Sequence, residues 1–183
     1  MPCSYYWQTG SVQPSAGLLL MTEKEYNNCV REHADRVYRF ILKNLRNSDD
    51  ARDVVQSAFE KMWVSRATVD GTRCKSFLFT VAYHQMIDHI RKGKMVMLKE
   101  EVMADVPVFN RHEHETRKIL ETALARLNET QRSLVLLKDY EGYSYEEIGE
   151  ITGLSASQVK VYLHRARIQL KNFLVSPENI LDQ

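Results

Sequence analysis

An all-α protein, built as two small helical units joined by a flexible linker, is the fold class the sequence predicts, and three observations predict it. Apolar residues recur at spacings of three and four through most of the chain after Thr22. No segment alternates with period two for long enough to make a strand. Between residues 94 and 110 the pattern lapses and Pro107 interrupts it, so one unit ends before this stretch and another begins after it. The size allows that division: 183 residues, 44% hydrophobic and 27% charged, have an ordinary globular composition, enough for one large or two small units, and disorder throughout is excluded.

Residues 1–21 stand apart. They hold two of the four prolines and two of the seven glycines, and no charged residue precedes Glu23. The stretch reads as a disordered arm or as an upstream extension of the reading frame, with Met21 as an alternative start. Its apolar run from Leu18 to Met21 is too short for a membrane span or a signal-peptide core, and no basic residue precedes it.

The first unit covers residues 22–93. Tyr26, Val30, Ala34, Val37, Ile41 and Leu45 mark one long amphipathic helix. Asn47, Ser48, Asp49 and Asp50 break it and cap a second, whose apolar face carries Val54, Val55, Ala58, Phe59, Met62 and Trp63, while Asp53, Gln56, Ser57 and Glu60 line the opposite face. Residues 64–74 lose all periodicity and contain Asp70 followed by Gly71, the mark of a loop. A third helix is expected over about residues 75–92, with Phe77, Leu78, Val81, Ala82, Met86 and Ile90 inward and Gly93 as its end. After a linker at 94–112, the second unit covers 113–175: Ile119, Leu120, Ala123, Leu124 and Leu127 lead to a break at Asn128, and Leu134, Val135, Leu137 and Tyr140 continue to Gly142. Residues 176–183 form a tail.

Residues 143–171 read as two short helices joined by a tight turn. Ser144 with Glu147, and Ser155 with Gln158, have the spacing of capping boxes, in which hydroxyl and side-chain oxygen each satisfy an orphan backbone N–H. Gly153 between them can take the left-handed conformation that ends a helix. In the second helix Val159, Leu163, Ala166 and Leu170 form one buried stripe, and Lys160, His164, Arg165 and Arg167 fall off it. The first helix is acidic, with Glu146, Glu147 and Glu150, whereas no acid occurs between Ser155 and Leu174. A basic outer face behind a short helix ending in glycine is the pattern of a helix-turn-helix whose second helix enters the DNA major groove. Ser157, Gln158, Lys160, Val161, His164, Arg165 and Arg167 are its candidate DNA contacts. The net charge of +1 means that DNA binding must rest on such local segregation.

Catalysis finds no support. The closest approach to a metal site among the six histidines is His112-x-His114, which falls at the linker without suitably spaced acids. Cys3, Cys29 and Cys74 are odd in number, widely spaced and lack a Cys-x-x-Cys pair, so neither a disulfide framework nor a cysteine zinc site is expected, and a reducing cytoplasm fits best. There is no glycine-rich phosphate loop and no nucleophile motif, so no cofactor, metal or small-molecule substrate is expected.

Three ordered stretches together resemble the sigma factors of bacterial RNA polymerase, in their small two-domain extracytoplasmic-function class. Residues 50–59 closing with Trp63 are similar to the helix of the family's second region that docks on the polymerase clamp, which implies core-polymerase contacts at Asp53, Gln56 and Glu60. Residues 76–82, with Ile87, Asp88, Arg91 and Lys92, are similar to the helix that meets the upstream promoter-melting element, which implies promoter contacts there. Opening a duplex needs no bond chemistry, only stacking or pocket groups beside positive charge, and Tyr83, His84, Arg91 and Lys92 with Arg73 and Lys75 in the preceding loop offer these. Residues 124–127, 131–132, 140–149 and 164–167 resemble the fourth region, with its helix-turn-helix. Tyr83 and His84 stand where the family usually has arginine and asparagine, and Val161 and Tyr162 where serine and arginine are frequent, so base preference does not transfer. The resemblance implies core RNA polymerase and promoter DNA as partners, and an anti-sigma factor as antagonist, expected at the membrane. Two other classes stay open: a free-standing helix-turn-helix repressor or activator, and a helical adaptor that sequesters another protein.

Overall fold

The computed structural model describes residues 21–97 and 113–175. The readings made for residues 1–20, most of the linker with its His112, and the tail at 176–183 lie outside the described residues. Within them the chain forms seven α-helices: α1 (Glu23–Leu45), α2 (Ser48–Ser65), α3 (Cys74–Met97), α4 (Glu113–Ala125), α5 (Glu129–Val135), α6 (Tyr145–Thr152) and α7 (Ala156–Leu174). Among the described residues none of the helices is long and apolar enough to cross a membrane.

The first three helices pack on one another in every pairing. Val37, Phe40 and Ile41 from α1, Ala58 and Met62 from α2, and Leu78, Phe79 and Met86 from α3 are almost wholly buried, each large side chain contributing about 1.5–3 kcal/mol of transfer free energy. The start of α1 is fixed by Thr22, which forms a capping box with Glu25, and that of α2 by Asn47, whose side chain accepts from the N–H groups of Asp49 and Asp50. Met21 belongs to this unit rather than to an arm: it is buried, and its N–H donates to the carbonyl of Val69 at 3.0 Å. The aperiodic loop contains two 3-10 turns, Arg66–Thr68 and Gly71–Arg73, the second opened by Asp70 accepting from the N–H of Thr72. Gly93 does not end α3, which continues to Met97. A glycine inside a helix costs about 1 kcal/mol relative to alanine but forbids nothing.

In the second unit α7 packs against α4, α5 and α6. After α5 the chain widens into a π-helical turn, Leu136–Tyr140. The N–H of Glu141 reaches back to Leu136 at 3.0 Å and that of Tyr143 to Leu137 at 3.1 Å, and Gly142 between them has a φ of 80°. The left-handed glycine lets the helix close on itself and turns Tyr143 back into the core.

The two units are not independent bodies in this arrangement. Helix α6 packs on α3 and α5 on α1, and one hydrophobic core runs through both. Phe79 meets Tyr143 edge to face at 5.4 Å. Arg132, buried, donates to the carbonyls of Leu124, Ala125 and Leu127 at the end of α4 and to that of Asn44 at the end of α1. Beside it the Ser133 hydroxyl donates to Asn44 Oδ1 at 2.9 Å. The Glu141 carboxylate is buried and pairs with Arg36 at 2.8 Å. A linker alone would let the units drift; these contacts seat one on the other.

Candidate nucleic-acid and protein interfaces

On α2 the residues split as the periodicity requires: Val54, Val55, Ala58 and Met62 are buried, and Asp53, Gln56 and Glu60 are exposed. The last three fall three and four residues apart, on one stripe. Gln56 Nε2 donates to Glu60 Oε1 at 3.0 Å, which holds two of them in register. Beside the stripe a groove of about 400 Å³ runs between α1 and α2, lined by Tyr26, Tyr38, Val55, Phe59 and Trp63 together with Arg52, Gln56 and Glu60. Its walls are braced: the Tyr26 hydroxyl donates to the carbonyl of Phe59 at 3.2 Å, Tyr26 and Trp63 meet edge to face at 4.9 Å, and Arg66 stacks over the Trp63 ring. Aromatic walls with polar and charged neighbours are the composition of a protein docking site. The sequence marks the polar stripe and places Tyr26 on the apolar side of α1, but it gives no sign that Tyr26 and Tyr38 wall a groove against α2, because periodicity names an inward side and not the partner across it.

The groups expected to meet melted DNA do not lie together. His84, Arg91 and Lys92 are exposed along α3. Tyr83 is instead a packing residue: it is only 6% exposed, so its ring is in the core and burial pushes the hydroxyl's pKa up. Lys75 and Arg73 are turned toward the second unit. The Lys75 ammonium lies 4.4 Å from the centroid of the Tyr143 ring, with its pKa lowered chiefly by burial, and Arg73 pairs with Glu150 of α6 at 3.5 Å. The seam therefore part-buries Lys75, whereas Arg73 stays exposed beside its partner.

The helix-turn-helix is built as its sequence directs. Both capping boxes form, at Ser144 with Glu147 and at Ser155 with Gln158, and Gly153 ends α6 with a φ of 76°. Gly149 sets how closely the helices approach: a Cβ there would stand 2.7 Å from the carbonyl oxygen of Leu154. Val159, Leu163 and Ala166 are buried, and Ser157, Gln158, Lys160, Val161, His164, Arg165 and Arg167 are all exposed. Several of these are already engaged, Ser157 through a hydroxyl contact with Ser155 at 3.1 Å. Gln158 Oε1 accepts from the Ser155 N–H at 2.9 Å, so its amide keeps only N–H donors for a base, and a bidentate adenine contact, which needs the oxygen too, would cost the cap. Arg167 is tied to Asp139 at 2.5 Å. Lys160 and Lys138 both lie over the Tyr145 ring, which gathers positive charge between α6 and α7. Val161, 47% exposed, presents an apolar surface suited to a thymine methyl.

Residues 29–95 match the family described as Sigma-70 region 2, and residues 117–170 the family described as Sigma-70, region 4. The chain is similar to RNA polymerase sigma factor SigV of Bacillus subtilis, 31% identical over 78% of this chain and 89% of that one. It is also similar to ECF RNA polymerase sigma factor SigE of Mycolicibacterium smegmatis, 31% identical over 81% of this chain, and spans 61% of that protein's length. Among solved structures, the sigma factor RpoE of Bartonella quintana in complex with the anti-sigma factor NepR has the same fold, with a TM-score of 0.73 at 23% identity, covering 84% of this chain and 99% of that one.

Proposed function

Because the chain belongs to the sigma-70 family of RNA polymerase sigma factors, in its extracytoplasmic-function class, we propose that it docks on core RNA polymerase through the groove between α1 and α2 and reads promoter DNA with α7. The observation that carries this reading is the pairing of two surfaces on one chain. A braced aromatic groove flanked by Gln56 and Glu60 lies on the first unit, and an outward basic helix lies on the second. A free-standing repressor needs the second surface and has no use for the first. Asp53, Gln56 and Glu60 supply polar contacts to the polymerase, while His84, Arg91 and Lys92 face the strand that is opened. Arg73 adds an exposed charge just before α3, and Lys75 joins once the seam parts. The protein acts as an initiation factor rather than a catalyst, in the compartment where polymerase works, the cytoplasm. An anti-sigma factor, membrane-bound in the expected case, holds it inactive, a reading supported by the like-folded RpoE, whose partner is one.

The test is a pull-down with core polymerase. Asp53→Ala with Gln56→Ala is expected to weaken core binding at least tenfold, since polar pairs lost at a docked surface cost about 2–5 kcal/mol when the partner charge is left buried. The helical circular dichroism should stay as in the wild type, because both side chains are exposed. Unchanged affinity would show that this face is not the docking site, and tight sequence-specific gel shifts by the free protein would favour the repressor instead.

A further inference from the structure

Cys29 and Cys74 stand far apart in the sequence, and no spacing rule connects them, but the packing of α1 on the start of α3 brings them together. Cys29 and His33 occupy successive turns of the same face of α1, and Cys74 is the first residue of α3. One ligand atom from each of the three lies within 4.8 Å of the other two. Cys29 is 2% exposed and His33 7% exposed, and both cysteines are free thiols. The Nδ1 atom of His33 is buried and has no hydrogen-bond partner. So is the hydroxyl of Tyr143, whose side chain comes close enough to Cys74 for the two to interact electrostatically. Native folds rarely leave one buried polar side-chain atom unsatisfied in a cluster of thiols, still less two.

We infer that Cys29, His33 and Cys74 bind a single zinc ion with two thiolates and one imidazole nitrogen, leaving its fourth position to water. Each thiol gives up its proton to solvent on binding, so two negative sulfurs neutralise the dication and the loaded site is uncharged, as burial demands. A tetrahedral zinc with metal–ligand bonds of about 2.0–2.3 Å sets its ligands roughly 3.5–3.8 Å apart. From an upper separation of 4.8 Å, side-chain rotation closes the difference without moving either helix. The surrounding charges balance: Glu32 and Glu141 act on His33 in one direction, Arg36 and Lys75 in the other. A Cys29–Cys74 disulfide is the competing fate of the two thiols, but it would leave the His33 nitrogen without a partner, whereas zinc engages all three groups. The ion would fasten α1 to α3 directly beneath the turn at Glu141 and Tyr143, at the seam between the two units.

The test uses the full chain purified under reducing conditions, loaded with zinc and freed of excess metal. One zinc per chain is expected by elemental mass spectrometry. Cobalt in its place should give thiolate charge-transfer absorption and the intense visible bands of a tetrahedral centre. Cys74→Ser and His33→Gln should each lose the stoichiometric metal. Because a buried variant can fail to fold, the cobalt spectrum of the wild-type chain stands as evidence by itself. A reduced wild-type chain that takes up neither metal would overturn the inference. So would a Cys74→Ser variant that keeps a full equivalent, or a Cys29–Cys74 disulfide in a chain that binds no metal after reduction.

Discussion

Arg132 holds together elements that are distant in the chain. Its guanidinium satisfies carbonyls at the ends of two helices, one from each unit, a task that would otherwise need water. Arg132→Met should therefore destabilise the fold by about 3–5 kcal/mol, since it strands several buried acceptors at once. Arg132→Lys should recover only part of this, because an ammonium lacks the planar fork. Urea unfolding midpoints of the three proteins check both statements, and a loss below 1 kcal/mol for the methionine variant would contradict them. At this scale the sequence was legible only in part. Exposure along a helix follows from periodicity, so the outward position of Asp53, Gln56, Glu60 and the basic residues of α7 is legible in the sequence. What a side chain meets does not follow from periodicity. Tyr83 lies on the edge of the apolar stripe of α3 and points inward, and Gln158, a candidate DNA contact, has its oxygen committed to the cap.

The helix-turn-helix is the element whose geometry the sequence specified most completely, because caps and left-handed glycines act through atoms a few residues apart. Two predictions belong here. Gly149→Ala should destabilise the second unit by about 1–3 kcal/mol, because the added methyl meets the backbone carbonyl of Leu154, which cannot swing away as a side chain would. Thermal unfolding measures this, and an unchanged midpoint would mean that the turn is looser than described. The second concerns pH. The Ser144 N–H and hydroxyl hold the Glu147 carboxyl below the ordinary carboxylate range. Its folded pKa being lower than its unfolded one, the cap contributes stability above the unfolded value, roughly 4.3, and loses it as pH falls through the folded value. Glu147→Gln keeps the acceptor without the charge, so denaturation midpoints between about pH 3 and 5 should slope less steeply for the variant. Equal slopes would remove Glu147 from the acid response. Other elements were harder to read: the 3-10 turns after α2 and the π-helical turn before Gly142 have no local pattern that names them, and α3 runs past Gly93 because a glycine weakens a helix without ending it.

For the whole molecule, the all-α class and the division into two units follow from periodicity, but the seating of one unit on the other does not. The seam rests on Phe79 against Tyr143, on Arg132 and on the pair of Arg36 with buried Glu141. Neither the Arg36 pair nor the meeting of Cys29 with Cys74 leaves a trace in sequence spacing. Arg36→Ala leaves the Glu141 carboxylate without its cation, and the group recovers hydration most readily if the units part. Small-angle scattering should then show a larger radius of gyration, with Glu141→Ala in the same chain partly restoring the compact form; a wild-type radius for the single variant would locate the hold elsewhere in the seam. In the function proposed above, the chain gives core polymerase its promoter specificity. Run-off transcription with purified core enzyme on a library of promoters, with and without this protein, measures it directly. Discrete start sites that depend on the added chain, and that vanish with Asp53→Ala and Gln56→Ala together, are expected. Transcription that is the same with and without the protein would mean that the chain confers no such specificity.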